Sequence, residues 1–214
     1  MSTLAPWPSA GATIPQANSL AAISAVVDAI ADGCTTTLAI AEAISMVGRQ
    51  GSYYPAAAQA LGLVVEVHGQ APLDWRLTEA GAAFVALDAA ARVDYLCEIL
   101  STLDWLDDYT REGEAPLRES WADVAGLGEE TIDRRVATIA AWTRFYAETP
   151  REEQVAQIAT AMTGCRANAP AVAQAHRAAA RRRHSEPVTR ICPRCHIIAA
   201  PAASECESCG NDLT

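Results

Sequence analysis

The sequence has no lysine: all 16 of its Lys/Arg positions are arginine. That excludes a phosphate-loop lysine, a Schiff-base lysine and the lysine of the usual aspartate-x-lysine nuclease site. Aromatic residues are scarce at 6% while half the residues are apolar, so the core must be built from alanine, leucine, valine and isoleucine. An alanine-rich, proline-punctuated chain of this kind reads as mainly helical. Apolar runs of the roughly 18 residues needed to cross a bilayer are missing, and the first residues have no basic start of the secretory kind. A cytoplasmic protein with no membrane partner is expected.

Positive charge is also in short supply. The formal net charge of −10 argues against a protein that coats nucleic acid through bulk electrostatics, because such affinity comes from counterion release at many basic contacts. The charge is unevenly spread. Residues 1–110 carry 3 Arg against 12 Asp plus Glu, whereas residues 166–194 carry 7 Arg against Glu186 alone. The basic surface is therefore local, and it leads into a cluster of cysteines.

Residues 1–17 hold prolines at 6, 8 and 15 and show no period, which reads as an arm. Asn18 or Ser19 then caps a helix with Leu20, Ile23, Val26, Val27 and Ile30 at helical spacing. A short helix from about Thr36 to Ile44 gives way at Val47-Gly48 to a polar turn, and a second opens near Arg49 to Tyr54 and runs to Leu61. Leu63 to Val67 reads as a strand, His68 to Pro72 as a turn, and Leu73 to Leu77 as a returning strand. Helix, turn, helix and hairpin in this order predict a winged helix-turn-helix over 18–87, and Leu77-Thr78-Glu79-Ala80-Gly81 resembles the ending that follows the wing in many winged-helix regulators. In such a fold the helix after the turn enters the major groove of DNA. Arg49, Gln50, Ser52, Tyr53 and Tyr54 are residue types that reach phosphates and base edges, with core filling by one tyrosine as the alternative.

Helices are next expected over Thr78 to Leu87 and from Asp88 to about Leu106. The stripe Val93, Leu96, Cys97, Leu100, Leu103 and Leu106 suits a core better than a dimer seam, and a homodimer stays open. Acidic residues from Asp104 to Glu114 read as a solvated loop, with metal binding only weakly signalled. A second helix-turn-helix-like unit follows, in which Ala122, Gly126 and Ile132 have the required spacing. It belongs to a helical domain over 88–164 and presents Arg134 and Arg135 as candidate phosphate contacts, although Glu129 and Glu130 in the first turn would repel a phosphate. Two more helices, over about 148–163 and 169–183, bracket Gly164. The basic connector over 165–190 and the residues beyond it place Arg181, Arg182, Arg183, Arg190 and Arg194 on a candidate DNA-binding face.

The run RQGSYYPAAAQALGLV, then WRLTEAG, then LGEETIDRRVATIAAWTRF resembles an accessory region found beside nucleases in bacterial restriction and related defence systems. Arg49, Gln50, Tyr53, Tyr54, Leu61, Gly62 and Leu63 match its first part, and Thr131, Arg134, Arg135, Thr138 and Trp142 its second. Gly51 departs from it, standing where an apolar residue is expected. The winged-helix reading implies double-stranded DNA as partner, and the resemblance implies a nuclease or other defence-complex subunit on a separate polypeptide.

Seven cysteines fall into two groups. Cys34, Cys97 and Cys165 are isolated and read as buried or inert. Cys192, Cys195, Cys206 and Cys209, in CPRC and CESCG, have the spacing of two knuckles that supply four thiolates to one tetrahedral Zn2+, predicting a zinc ribbon over 191–214. His196 is the alternative ligand, and a pair of disulfides the alternative chemistry. A fully thiolate set leaves no open position, so the metal would be structural. The sum is a non-catalytic DNA-binding protein of a restriction or defence system or its regulator. The rival is a protein-protein adaptor, to which the acidic amino-terminal half lends weight.

Overall fold

The Ser19 hydroxyl accepts the Ala22 N–H at 3.2 Å and so opens helix α1 (Leu20–Ala31) at the position its sequence predicts. A computed structural model describes residues 16–46, 50–67, 74–122, 128–185, 190–191, 194 and 198–199 of the chain. Within them the protein is mainly helical. Thr36 caps α2 (Thr37–Ala43), and α3 (Gln50–Ala60) follows. Both pack on α1, which is buried along most of its length.

Strands β1 (Val64–Val67) and β2 (Asp74–Leu77) pair antiparallel, with Val64 opposite Leu77 and Val67 opposite Asp74. The sequence did not suggest a further rung. Thr36 forms an antiparallel bridge to Asp74, and the Trp75 N–H donates to the Thr35 carbonyl at 2.8 Å. The link between α1 and α2 thus lies along the outer side of β2.

Thr78 closes this unit from both sides. Its hydroxyl accepts the Gly81 N–H at 3.0 Å to cap α4 (Glu79–Val85) and donates to the Gly62 carbonyl at 2.6 Å, while its N–H donates to the Leu63 carbonyl. The helix start is pressed so tightly on Leu63 that a Cβ added at Gly81 would overlap that carbonyl oxygen. This explains the Thr-x-x-Gly pattern: one residue caps, and the other lacks the atom that would collide.

Asp88 caps α5 (Ala89–Leu100), whose Arg92 is fully buried. Its guanidinium forms a bidentate pair with Asp28 of α1 at 2.7 and 2.9 Å. The remaining three N–H groups donate to the Ser24 hydroxyl and to the Val85 and Leu87 carbonyls. The Phe84 ring lies 4.9 Å from the guanidinium carbon. All five donors are satisfied, the condition under which a buried charge is tolerated.

The helix expected to run from Asp88 to Leu106 ends earlier. The Ser101 and Thr102 hydroxyls donate back to the Glu98 and Ile99 carbonyls, and a new helix, α6, occupies Asp104–Glu112. The acidic stretch expected as a loop is accordingly α6 and the start of α7 (Glu114–Ala122). There Arg111 pairs with Asp108 and Glu112, and Arg118 pairs with Glu114 and with Asp133. Helix α8 (Glu129–Thr143) opens at Gly128 as expected and packs Ile132, Val136, Ile139 and Trp142 inward. It widens into a π-helical turn, Arg144–Glu148. Helices α6, α7 and α8 pack on one another.

Two helices were expected on either side of Gly164, but one helix, α9 (Arg151–Ser185), runs through both Gly164 and Pro170. Ile158, Met162, Cys165, Ala169 and Ala173 form one buried stripe that crosses both residues. The Cys165 thiol donates to the Ala25 carbonyl at 3.2 Å and the Cys34 thiol to the Ala169 carbonyl at 3.4 Å. Burial of this stripe outweighs the local penalty of a glycine and a proline.

The contacts divide the chain into two compact units, Met1–Ala173 and Gln174–Thr214. The boundaries read from sequence at 87/88 and 164/165 lie inside the first, whose buried core extends from Ala17 to Ala173. In the second, β3 (Arg190–Ile191) pairs antiparallel with β4 (Ile198–Ala199). Among the described residues no helix is long and apolar enough to cross a membrane.

Candidate nucleic-acid interface

Helix α3 holds most of the first set of candidate contacts. It spans Gln50–Ala60, within the range in which its start was expected, and Pro55 falls inside the helix. Gly51, the departure from the expected pattern, has a packing reason. A Cβ there would stand 2.7 Å from the Ala41 Cβ and 2.9 Å from the Thr37 carbonyl oxygen, so glycine is what allows α3 to sit directly on α2.

The two tyrosines part company. Tyr54 is 5% exposed and its phenol donates to the Asn18 side-chain oxygen at 3.1 Å. Burial raises the Tyr54 pKa above that of an ordinary phenol, opposed by a hydrogen bond with the Ser19 backbone. It is a core residue, and its place among the DNA-contact candidates is corrected accordingly. Ser52 and Tyr53 are half-buried at the surface of α3. Arg49 and the side chain of Gln50 lie outside the described residues.

On α8, Arg134 is exposed, paired with Glu130 one turn earlier, and donates to the Gln16 side-chain oxygen at 3.5 Å. Arg135 is half-buried, and desolvation lowers its pKa from the usual guanidinium value. Trp142 is fully buried and donates its indole N–H to the Ala17 carbonyl at 2.8 Å. Two motifs some 80 positions apart therefore converge on one short segment: Tyr54 holds Asn18, Trp142 holds Ala17 and Arg134 reaches Gln16. Gln16, Asn18, Tyr53, Arg134 and Thr138 line a polar cleft of about 340 Å³ between α3 and α8. Spacing along the chain could not show this convergence.

One outward residue was missed in the sequence. Arg76 on β2 is exposed opposite the equally exposed Val65 of β1, and has no ion-pair partner among the described residues. The other exposed arginines of this unit with described partners are tied to acids: Arg111 and Arg118 as above, Arg134 with Glu130, and Arg151 with Asp94. A signal existed in the alternation of Asp74 to Leu77, which puts Trp75 inward and Arg76 outward.

In the second unit Arg181 and Arg182 are exposed on the last turns of α9, and Arg194 is exposed in a turn. Arg183 belongs to α9 and Arg190 to β3, but their side chains lie outside the described residues, as do Cys192, Cys195, Cys206 and Cys209. Strands β3 and β4 stand on either side of Cys192 and Cys195 in the sequence. Among the described residues no group of three or more His, Cys, Asp or Glu is placed to hold a metal ion. Of the isolated cysteines, Cys34 and Cys165 are buried and Cys97 is half-buried. Burial, reinforced by the nearby carboxylates of Asp28 and Asp32, pushes the Cys165 thiol up to about 12.

Comparison with curated proteins and with solved structures gave no match. A family model described as a domain of unknown function (DUF7226) matches residues 23–151, from within α1 to the first residue of α9. The matched span takes in Tyr53, Tyr54, Arg134, Thr138 and Trp142, the residues that meet around the segment before α1, and the chain belongs to the DUF7226 family.

Proposed function

We propose that the protein is a non-catalytic DNA-binding protein in which α1 to β2 form a winged helix-turn-helix and α6 to α8 a second helix-turn-helix-like unit. The observation that carries this is the rung at Thr35 and Thr36. It ties the α1–α2 link to β2, so that α2, α3 and the β1–β2 pair become one body. In that arrangement the amino-terminal half of α3, with Ser52 and Tyr53, takes the position of a recognition helix, and Arg76 stands beside it on the wing. Arg181, Arg182, Arg183, Arg190 and Arg194 add a phosphate-binding surface in the second unit.

The second unit is proposed to be a zinc ribbon. Four cysteines in two Cys-x-x-Cys knuckles form a complete thiolate donor set, and the β3–β4 pair supports it by bracketing the first knuckle. Cys192, Cys195, Cys206 and Cys209 would hold the Zn2+, whose contribution is folding energy for a segment too short to bury much core. By the resemblance of its motifs, the protein serves a bacterial restriction or defence complex or its regulator, with any nuclease on another chain.

An adaptor that binds only protein is the second reading. It is favoured by the ion pairs that neutralise Arg111, Arg118, Arg134 and Arg151. Fluorescence anisotropy with a labelled duplex between 50 and 200 mM salt separates the two. DNA binding through the arginines predicts a linear fall of log K with log salt. Changing Arg181, Arg182 and Arg183 to alanine would then flatten the slope by up to about 3, since each phosphate contact contributes roughly −0.9. Absent or salt-insensitive binding would favour the adaptor.

A further inference from the structure

Resting on the DNA-binding reading, we infer that the cleft between α3 and α8 receives an unstacked keto base, thymine or guanine, from the bound DNA. The cleft measures about 340 Å³, at the small end of the roughly 300 to 1,000 Å³ typical of small-molecule sites. It opens beside the first turns of α3, the part of a recognition helix nearest to bases.

Its chemistry is one-sided. The Tyr54 phenol is engaged by the Ser19 backbone and donates its own proton to the Asn18 oxygen. The Asn18 side chain is thereby oriented, and its NH2 group has no acceptor among the described residues. The Gln16 oxygen is likewise taken by Arg134, which leaves the Gln16 NH2 group. The Thr138 hydroxyl is turned back to the Arg134 carbonyl at 3.0 Å. What remains is two carboxamide donors and a guanidinium, with the Tyr53 ring in the same wall. Donors beside an aromatic ring fit a flat ligand whose edge carries acceptors. On the edge that a base shows in the major groove, thymine O4 and guanine O6 and N7 supply acceptors alone, whereas the amino groups that adenine and cytosine carry there would meet donors with donors. Stacking of the base on an aromatic ring offsets the cost of taking it out of the duplex stack.

The test uses the full-length protein and three labelled duplexes at one salt concentration: fully paired, with a single unpaired thymine, and with a single unpaired adenine. The expected result is tighter binding of the thymine-bulged duplex than of the other two, by about tenfold. Asn18→Asp keeps the acceptor for Tyr54 but replaces the donor with a carboxylate, and Tyr53→Leu removes the ring while keeping bulk. Each should abolish the preference; Asn18→Asp should leave binding of the paired duplex within about twofold, as should Gln16→Glu, a further donor-removing variant should either fold poorly. Equal binding of all three duplexes by the wild-type protein, or a preference that survives in the folded variants, overturns the base site alone. Failure to bind any duplex overturns the DNA-binding reading and the base site together.

Discussion

Arg92 shows how much a single residue can hold in this fold. It has five donors, five acceptors, no exposure, and contacts that join α1, the end of α4 and α5. Removing one partner would leave the other charge buried alone, at a cost of about 3–5 kcal/mol. Arg92→Met should therefore lower stability by that amount in urea unfolding, and adding Asp28→Leu should recover a large part of it. A double variant no more stable than the single one would mean that the hydrogen bonds to Ser24, Val85 and Leu87 outweigh the ion pair. Gly81 works by absence instead, because its missing Cβ leaves room for the Leu63 carbonyl. Gly81→Ala should cost about 3 kcal/mol, the upper range for overpacking, although alanine is intrinsically the better helix former. Cys165 makes a prediction in pH. Its folded value of about 12 lies above the ordinary 9.0, so the neutral thiol is favoured in the fold. The associated stability is fully present below pH 9 and is lost as pH rises toward 12. Cys165→Ala should remove that part of the alkaline decline in a series of melts, while a decline of unchanged shape would assign it to other groups, the Tyr54 phenol first.

At the scale of elements, the parts governed by neighbours in sequence were legible and those governed by burial were not. Caps at Ser19, Thr36, Thr78 and Asp88 fixed four helix starts because each hydroxyl or carboxylate satisfies an N–H three residues on. The helical spacing of Ile132, Val136, Ile139 and Trp142 identified the inward face of α8. Gly164 misled because a glycine in a polar stretch is also how a helix ends, and only the buried stripe from Ile158 to Ala173 shows that α9 goes on. The break at Ser101 and Thr102 was hidden for the opposite reason: the leucine spacing continues while the backbone does not. The site was half legible. The motifs marked Tyr53, Tyr54, Arg134 and Trp142, but chain spacing could not reveal that they meet at residues 16–18, nor which tyrosine is inside. The continuous helix has a direct check. A Cβ at Gly164 would meet nothing within 4 Å, so Gly164→Ala should stabilise the protein by about 0.5–1 kcal/mol, the helix-interior difference between the two residues. Destabilisation would instead indicate a helix end in a left-handed conformation at that position.

For the molecule as a whole, the division at Ala173 separates two kinds of stability. The first unit has an apolar core of its own, and all five tryptophans of the sequence, at positions 7, 75, 105, 121 and 142, precede the boundary. The second unit, on the proposed reading, depends on a metal held by Cys192, Cys195, Cys206 and Cys209. The charge balance also changes across this division, because residues 174–214 hold 6 Arg against 4 Asp plus Glu, while residues 1–173 hold 10 against 22. Metal removal should therefore uncouple stability from binding. In full-length protein treated with a strong chelator, the thermal transition followed by tryptophan fluorescence should stay within about 2 °C of the untreated value, since its reporters lie in the apolar-cored unit. Duplex affinity should fall, because Arg190 precedes the first cysteine knuckle and Arg194 lies within it, and both would lose their fixed placement. One zinc per chain should be released, and adding it back should restore affinity. If the tryptophan transition collapsed with the metal, the two units would share one cooperative fold. If affinity were unchanged, DNA contact would rest on α3, Arg76, α8 and the arginines at the end of α9, without Arg190 and Arg194.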